Sequence, residues 1–232
     1  MNVIEINNLT KDFGNNKGIF DLSFSLKQGE IVGFLGSNGA GKTTTIRHLV
    51  GFIKPDNGSV RIVNMDCFTN AYSVQEKIGY LPGEIAFMDN MTGEEFIRFM
   101  ADMKNIKDLQ YAKELIAYFD IDTKIKIKKM SKGMKQKIGL IIAFMQDTPI
   151  LILDEPTRGV DIGAKAEIYS IINELAEKGM AIILISSELP EIMNMCDNVC
   201  IVRSGNIVGR LAKNELNQEA IMHYATGGNK NE

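Results

Sequence analysis

The chain has 232 residues, 45% of them hydrophobic and 24% charged, fractions that exclude a disordered segment and suit one large domain, or one core with a smaller insert. A formal net charge of −3 gives no electrostatic reason to expect nucleic acid as the main ligand. The longest uncharged apolar run, Ile138 to Gln146, is far short of the roughly 20 residues needed to cross a bilayer, and Met1-Asn2-Val3-Ile4-Glu5 lacks the basic-then-apolar order of a signal peptide, so an intracellular soluble protein is expected.

Val3 to Ile6 alternates as a strand, and so does Phe20 to Leu26, with Phe20, Leu22, Phe24 and Leu26 on one face. Gly29-Glu30 turns the chain into Ile31–Leu35, a short apolar run suited to a buried strand. Helical stretches are predicted near Glu94–Met103, Lys113–Phe119, Lys135–Met145 and Lys165–Leu175. Ile150–Leu153 and Ala181–Ile185 are again continuous apolar runs. Strands apolar on both faces imply a parallel sheet flanked by helices, hence an α/β domain. Cys67, Cys196 and Cys200 follow no disulfide spacing and read as small reduced core residues, although Cys196 and Cys200 would share a face if a helix reached that far. The tail Gly227–Glu232 reads as frayed.

Directly after the Ile31–Leu35 strand comes Gly36-Ser37-Asn38-Gly39-Ala40-Gly41-Lys42-Thr43, followed by Thr44. It matches G-x-x-x-x-G-K-[ST], the phosphate-binding P-loop, between a predicted strand and a predicted helix. Glycines let successive N–H groups point into one concavity, and the helix adds its positive N-terminal dipole. Lys42 would reach the β- and γ-phosphates, and the Thr43 hydroxyl would coordinate Mg²⁺. Downstream, Pro149–Leu153 is a buried strand ending in Asp154-Glu155, and carboxylates at the C-terminal end of such a strand face the ligand crevice. Asp154 would serve the metal, and Glu155 would polarise the attacking water. ATP or GTP binding follows.

The arrangement resembles the ATP-binding cassette family, the nucleotide-hydrolysing subunits of ABC transporters, over essentially the whole chain. Leu9-Thr10-Lys11-Asp12-Phe13-Gly14 looks like the family's adenine-stacking loop, with Phe13 either the stacking aromatic or a core residue at the strand end. Lys129-Met130-Ser131-Lys132-Gly133-Met134-Lys135-Gln136 occupies the place of the family signature. Asp154 to Asp161 joins the acidic strand end to the D-loop. The resemblance implies a P-loop NTPase core with a mostly parallel sheet and a small antiparallel β subdomain (residues 1–83 and 149–232), and an inserted α-helical subdomain (84–148). Ser131 suits a helix N-cap; the resemblance gives Ser131 and Gly133 a phosphate-sensing role across a head-to-tail dimer around two ATP molecules. In the inserted region Met88, Met91, Met100 and Met103 read as core packing by default, or as a receptor for a permease segment.

Two positions depart from the family pattern. Gly83, followed by Glu84, stands where a Gln usually touches the metal and the attacking water. Glu188, in Ile185-Ser186-Ser187-Glu188-Leu189, is placed where a His usually contacts the γ-phosphate, and its anion would repel that phosphate. Up to about residue 150 the text resembles drug-export cassettes. From Asp154 onward it resembles the second cassette of monosaccharide-import ATPases, which suggests a mosaic or chimera with its seam near the acidic strand. The expected protein is the ATPase subunit of an ABC transporter, with ATP and Mg²⁺ as cofactors. It would pair as a homodimer, or as a heterodimer with another ABC ATPase, and drive a transmembrane permease from the cytoplasmic face, with export favoured over sugar import. The alternatives are a hybrid cassette with little turnover, or a soluble non-transport ABC protein.

Overall fold

The computed structural model describes residues 2–15 and 17–227. Two sheets organise these residues. The first is antiparallel, built from β1 (Asn2–Asp12), β2 (Gly18–Lys27), β4 (Asn57–Ile62) and β5 (Met65–Asp66) in the order β2-β1-β4-β5. The second comprises β3 (Ile31–Leu35), β6 (Ile78–Leu81), β7 (Ile150–Asp154), β8 (Ala181–Ile185), β9 (Asn198–Arg203) and β10 (Asn206–Ala212), ordered β10-β9-β3-β8-β7-β6. Every pair in the second sheet is parallel except β9 with β10. The predicted mostly parallel core with a small antiparallel sheet is therefore present.

The apolar runs are apolar because the parallel sheet is covered on both faces. Along β3, β7 and β8 the period-2 alternation sends Val32, Phe34, Ile150, Ile152, Ala181, Ile183 and Ile185 towards the antiparallel sheet. The intervening Ile31, Leu35, Leu151, Leu153, Ile182 and Leu184 face a layer of helices. Phe24 and Phe34 meet edge to face, ring centroids 4.8 Å apart, and join the two sheets. β7 stays in unbroken register with β6 on one side and β8 on the other, from Ile150↔Ala181 to Asp154↔Ile185. No packing discontinuity marks the proposed seam: Ile168 and Ile172, from α6 (Ile162–Glu177), share one core with Phe96 and Leu115.

After α1 (Lys42–Leu49) and α2 (Ala71–Gln75), the chain between β6 and β7 forms α3 (Gly93–Met103), α4 (Gln110–Tyr118) and α5 (Lys132–Phe144). Thr92 starts α3 with a full capping box, its hydroxyl accepting from Glu95 N while the Glu95 carboxylate accepts from Thr92 N. Met91 and Met100 pack against the core, whereas Met88 and Met103 are exposed. Cys196 ends α7 (Leu189–Met195) in an extended conformation and Cys200 lies on β9, so the two share no helix face. All three cysteines are free and buried, and burial pushes Cys67 up to about 12 and Cys200 up to about 11. Gly227 caps α8 (Gln218–Thr226) in the left-handed region; the rest of the tail expected to fray lies outside the described residues. Among the described residues no helix is long and apolar enough to cross a membrane.

Candidate functional site: a phosphate loop facing an acidic strand end

The strand ends of β3 and β7 bring the two candidate motifs to one cleft of about 870 Å³. From the loop before α1 (Lys42–Leu49) come Ser37, Asn38, Gly39, Gly41, Lys42, Thr43 and Thr44. From the end of β7 come Asp154 and Glu155, with Arg158 behind them. The loop's shape is imposed by its neighbours. Gly41 holds φ +114° and a Cβ there would press on Ile19. At Gly36 a Cβ would run into the Val202 carbonyl oxygen. Ala40 is buried beneath the loop, and its carbonyl accepts from Gly205 N at 2.8 Å, so the β9–β10 turn clamps the loop from below.

Lys42 Nζ donates to the carbonyls of Gly36 and Ser37. Burial holds its pKa below the usual lysine range, while the Glu155 and Asp154 charges oppose that shift. Burial raises the Asp154 carboxyl, the Glu155 charge adds to the rise, and the Gly83 N–H hydrogen bond counters it. The Tyr80 phenol, also on the cleft wall, is pushed up to about 12 by burial and then by Asp154. The cleft thus holds the partly buried Lys42 cation against the Asp154 and Glu155 carboxylates.

Glu155 sits just beyond β7 with φ +53°, a left-handed conformation unusual for a residue with a side chain. Its N–H donates to Ile185 O at 2.8 Å. Its carbonyl accepts from the Gln136 side-chain amide at 3.1 Å, and Gln136 also reaches Pro156 O. The Ser187 hydroxyl donates to Glu155 Oε2 at 3.1 Å. None of these three supports was predicted, because each is a long-range contact of a residue with no unusual chemistry.

Phe13 is 56% exposed on the cleft wall, with Lys11 Nζ 5.9 Å from its ring centroid. The core alternative for Phe13 is therefore excluded, and its ring is open to a flat ligand. Gly83 and Glu84 line the same cleft. Ser131 and Gly133 do not: Ser131 caps α5 through Met134 N, and Gly133 packs beside Gly159. Glu188 also lies off the cleft, because both its carboxylate oxygens are held by Lys165 Nζ at 2.7 Å. The residue facing Glu155 from the end of β8 is Ser187, one position earlier. Beyond β8 the chain bends at Ser187, whose hydroxyl reaches Glu155 while Glu188 pairs with Lys165.

The ABC transporter family model matches residues 19–158. The chain belongs to the ABC transporter family. Its curated relatives include the ribose import ATP-binding protein RbsA of Lactococcus lactis subsp. lactis, 38% identical over 97% of this chain and 48% of that protein. RbsA of Oceanobacillus iheyensis is 34% identical over 99% of the chain and 49% of its own length. The chain spans about half the length of the curated relatives it matches. Among solved structures, one described as the ATP binding subunit of an ABC transporter superposes with a TM-score of 0.87 at 25% identity, covering 97% of this chain and 99% of that one.

These comparisons correct two expectations. A single relative aligns across 97% of this ABC cassette, and the acidic strand is packed without a break on both sides, so nothing supports a mosaic or a drug-export half. The relatives bear ribose import names, against the preference for export.

Proposed function

We propose that the chain binds and hydrolyses Mg-ATP as the motor of an ABC transporter, working with a second cassette and a separate membrane permease. The observation that carries this reading is the convergence of Lys42, Thr43, Asp154 and Glu155 on one cleft. In it, Phe13 stacks on the adenine, the N–H groups from Ser37 to Thr44 cradle the phosphates, and Lys42 engages the β- and γ-phosphates.

The donor set suits Mg²⁺. Thr43 and Asp154 both offer oxygen, and among the described residues no cluster of three or more His, Cys, Asp or Glu assembles into a cage. A hard cation that keeps several waters and shares phosphate oxygens needs no more than this. When bound, Mg²⁺ would neutralise charge on the phosphates. Glu155 accepts the proton of the attacking water as its oxygen bonds to the γ-phosphorus, and the β–γ bridging bond breaks with its electron pair leaving on ADP. Ser187 fixes the Glu155 carboxylate through Oε2. Gly83 contributes its backbone N–H to Asp154 in place of a side-chain amide.

Residues 84–148 act as the inserted helical subdomain and carry Ser131 and Gly133 towards the nucleotide of the second cassette. That cassette is either another copy of this chain or a different ABC ATPase. The permease holds the chain peripherally at the cytoplasmic face. Import of a sugar of the ribose kind is the direction the relatives favour. The test is Mg-ATP turnover of the purified chain across protein concentration. Specific activity that climbs with concentration and vanishes in Lys42→Ala supports a dimeric motor, and equal turnover in Lys42→Ala sinks the reading.

A further inference from the structure

One buried carboxyl lies behind the cleft. Glu191, on α7, is only 2% exposed, and its Oε1 has no hydrogen-bond partner among the described residues. Its carboxyl lies within electrostatic reach of the hydroxyls of Ser186 and Thr157, which oppose the rise of its pKa, and of the phenol of Tyr169 on α6. Ser186 and Thr157 are themselves buried. An apolar side chain would fill this place without the desolvation cost of an acid, so packing alone does not explain the choice of residue.

What the carboxyl touches does explain it. Thr157 lies two residues beyond Glu155, and Ser186 immediately precedes Ser187. The paired register of β7 and β8 ends at Asp154↔Ile185, so both loops run on past the end of the ladder. Beyond that point Glu155 sits in a strained backbone conformation, which persists only where its surroundings over-determine it. The Ser186 hydroxyl also accepts from Glu188 N at 2.9 Å, which pins the other loop.

We propose that Glu191 is a positioning residue for ATP hydrolysis: its carboxyl ties the loop behind Glu155 to the loop carrying Ser187, and so holds the Ser187–Glu155 hydrogen bond in place. This rests on reading Glu155 as the group that takes the proton of the attacking water. Burial raises the Glu191 carboxyl above the usual range, and the Glu188 and Glu155 charges push in the same direction. A glutamine keeps the shape and the hydrogen-bonding capacity of this bracket and removes its titration.

The experiment measures steady-state ATP turnover and ATP binding of the full chain for Glu191→Ala, Glu191→Gln, Thr157→Val and Glu155→Gln, with thermal unfolding of each. Glu191→Ala is expected to lower kcat about tenfold while ATP Kd stays within about twofold, since small misplacements of a reacting group cost rate rather than ground-state binding. Glu191→Gln is expected to restore kcat to within about threefold of the unmutated chain. Undiminished turnover in Glu191→Ala, or equal losses in the alanine and glutamine variants, overturns the proposal. If Glu191→Ala does not fold, Thr157→Val carries the test: lowered kcat at unchanged Kd supports the bracket, and unchanged kcat overturns it. Glu155→Gln separates the two layers. Full turnover in that variant refutes the reading of Glu155 itself, whereas an inactive Glu155→Gln beside a fully active Glu191→Ala refutes only the positioning role.

Discussion

The hydroxyl of Ser187 donates to Glu155 Oε2 at 3.1 Å, linking the first residue beyond β7 to the second residue beyond the adjacent parallel strand β8. Glu188, the next residue, turns away into an ion pair with Lys165. A neutral hydroxyl thus touches the Glu155 carboxylate, and the anion beside it is paired with a lysine.

That geometry predicts opposite outcomes for neighbouring substitutions. Ser187→Ala is expected to lower kcat about tenfold by freeing the Glu155 carboxylate, an effect on the scale of one lost orienting contact. Glu188→Gln is expected to change kcat by less than about twofold, because an exposed ion pair contributes little. Steady-state turnover of the two variants side by side decides between them.

The exposed ring of Phe13 predicts a binding effect without a chemical one. Phe13→Ala is expected to raise the Kd for ATP about tenfold, the scale of one lost base–aromatic stack. Turnover at saturating ATP stays as before. A titration of nucleotide affinity alongside kcat checks both halves, and an unchanged Kd removes Phe13 from the site.

Gly36 predicts a stability effect. A methyl group there meets the Val202 backbone oxygen, which has little freedom to yield in a buried strand paired with β3 on one side and β10 on the other. Gly36→Ala is expected to cost about 1–3 kcal/mol by overpacking, seen as a fall in Tm of several degrees for a chain of this size. Weakened ATP binding should accompany it, because the same loop cradles the phosphates.

His48 predicts a pH dependence. It is buried on α1, with Nδ1 bonded to Thr44 O at 2.7 Å. Burial lowers its pKa below the ordinary histidine value, the Thr44 carbonyl opposes the shift, Lys11 adds to it and Asp56 counters it. Below the ordinary value the unfolded chain therefore binds the proton more readily than the folded one, so stability is present above about pH 6.5 and falls as pH drops through the window beneath it. His48→Asn keeps a donor for Thr44 O and removes the titration. Its Tm is expected to change less between pH 7 and pH 5 than that of the unmutated chain, as read by thermal unfolding.

The legible parts of this protein are those written contiguously. The P-loop is one unbroken motif between a strand and a helix, and Asp154-Glu155 closes an apolar run that has only one way to sit in a parallel sheet. The four predicted helices also appear, with α5 and α6 beginning three residues earlier than expected at their Ser131 and Asp161 caps. The supports of the site were not legible. Gln136, Ser187 and Glu191 reach Glu155 or its loop from distant elements, and nothing in their own neighbourhoods announces that. Glu191 in particular reads as one more solvated charge in Leu189-Pro190-Glu191 until the fold buries it. Glu188, expected beside the γ-phosphate, is tied to Lys165, a partner 23 residues away that its own neighbourhood does not announce.

The most direct test of the central claim is single-turnover hydrolysis of Mg-ATP by the unmutated chain and by Glu155→Gln, with nucleotide binding measured on the same samples. The expected result is equal binding and a loss in rate of about 10²-fold or more in the variant, the scale of a removed general base. Equal rates with equal binding would contradict the account, because the carboxylate held by Ser187 would then take no part in the chemistry.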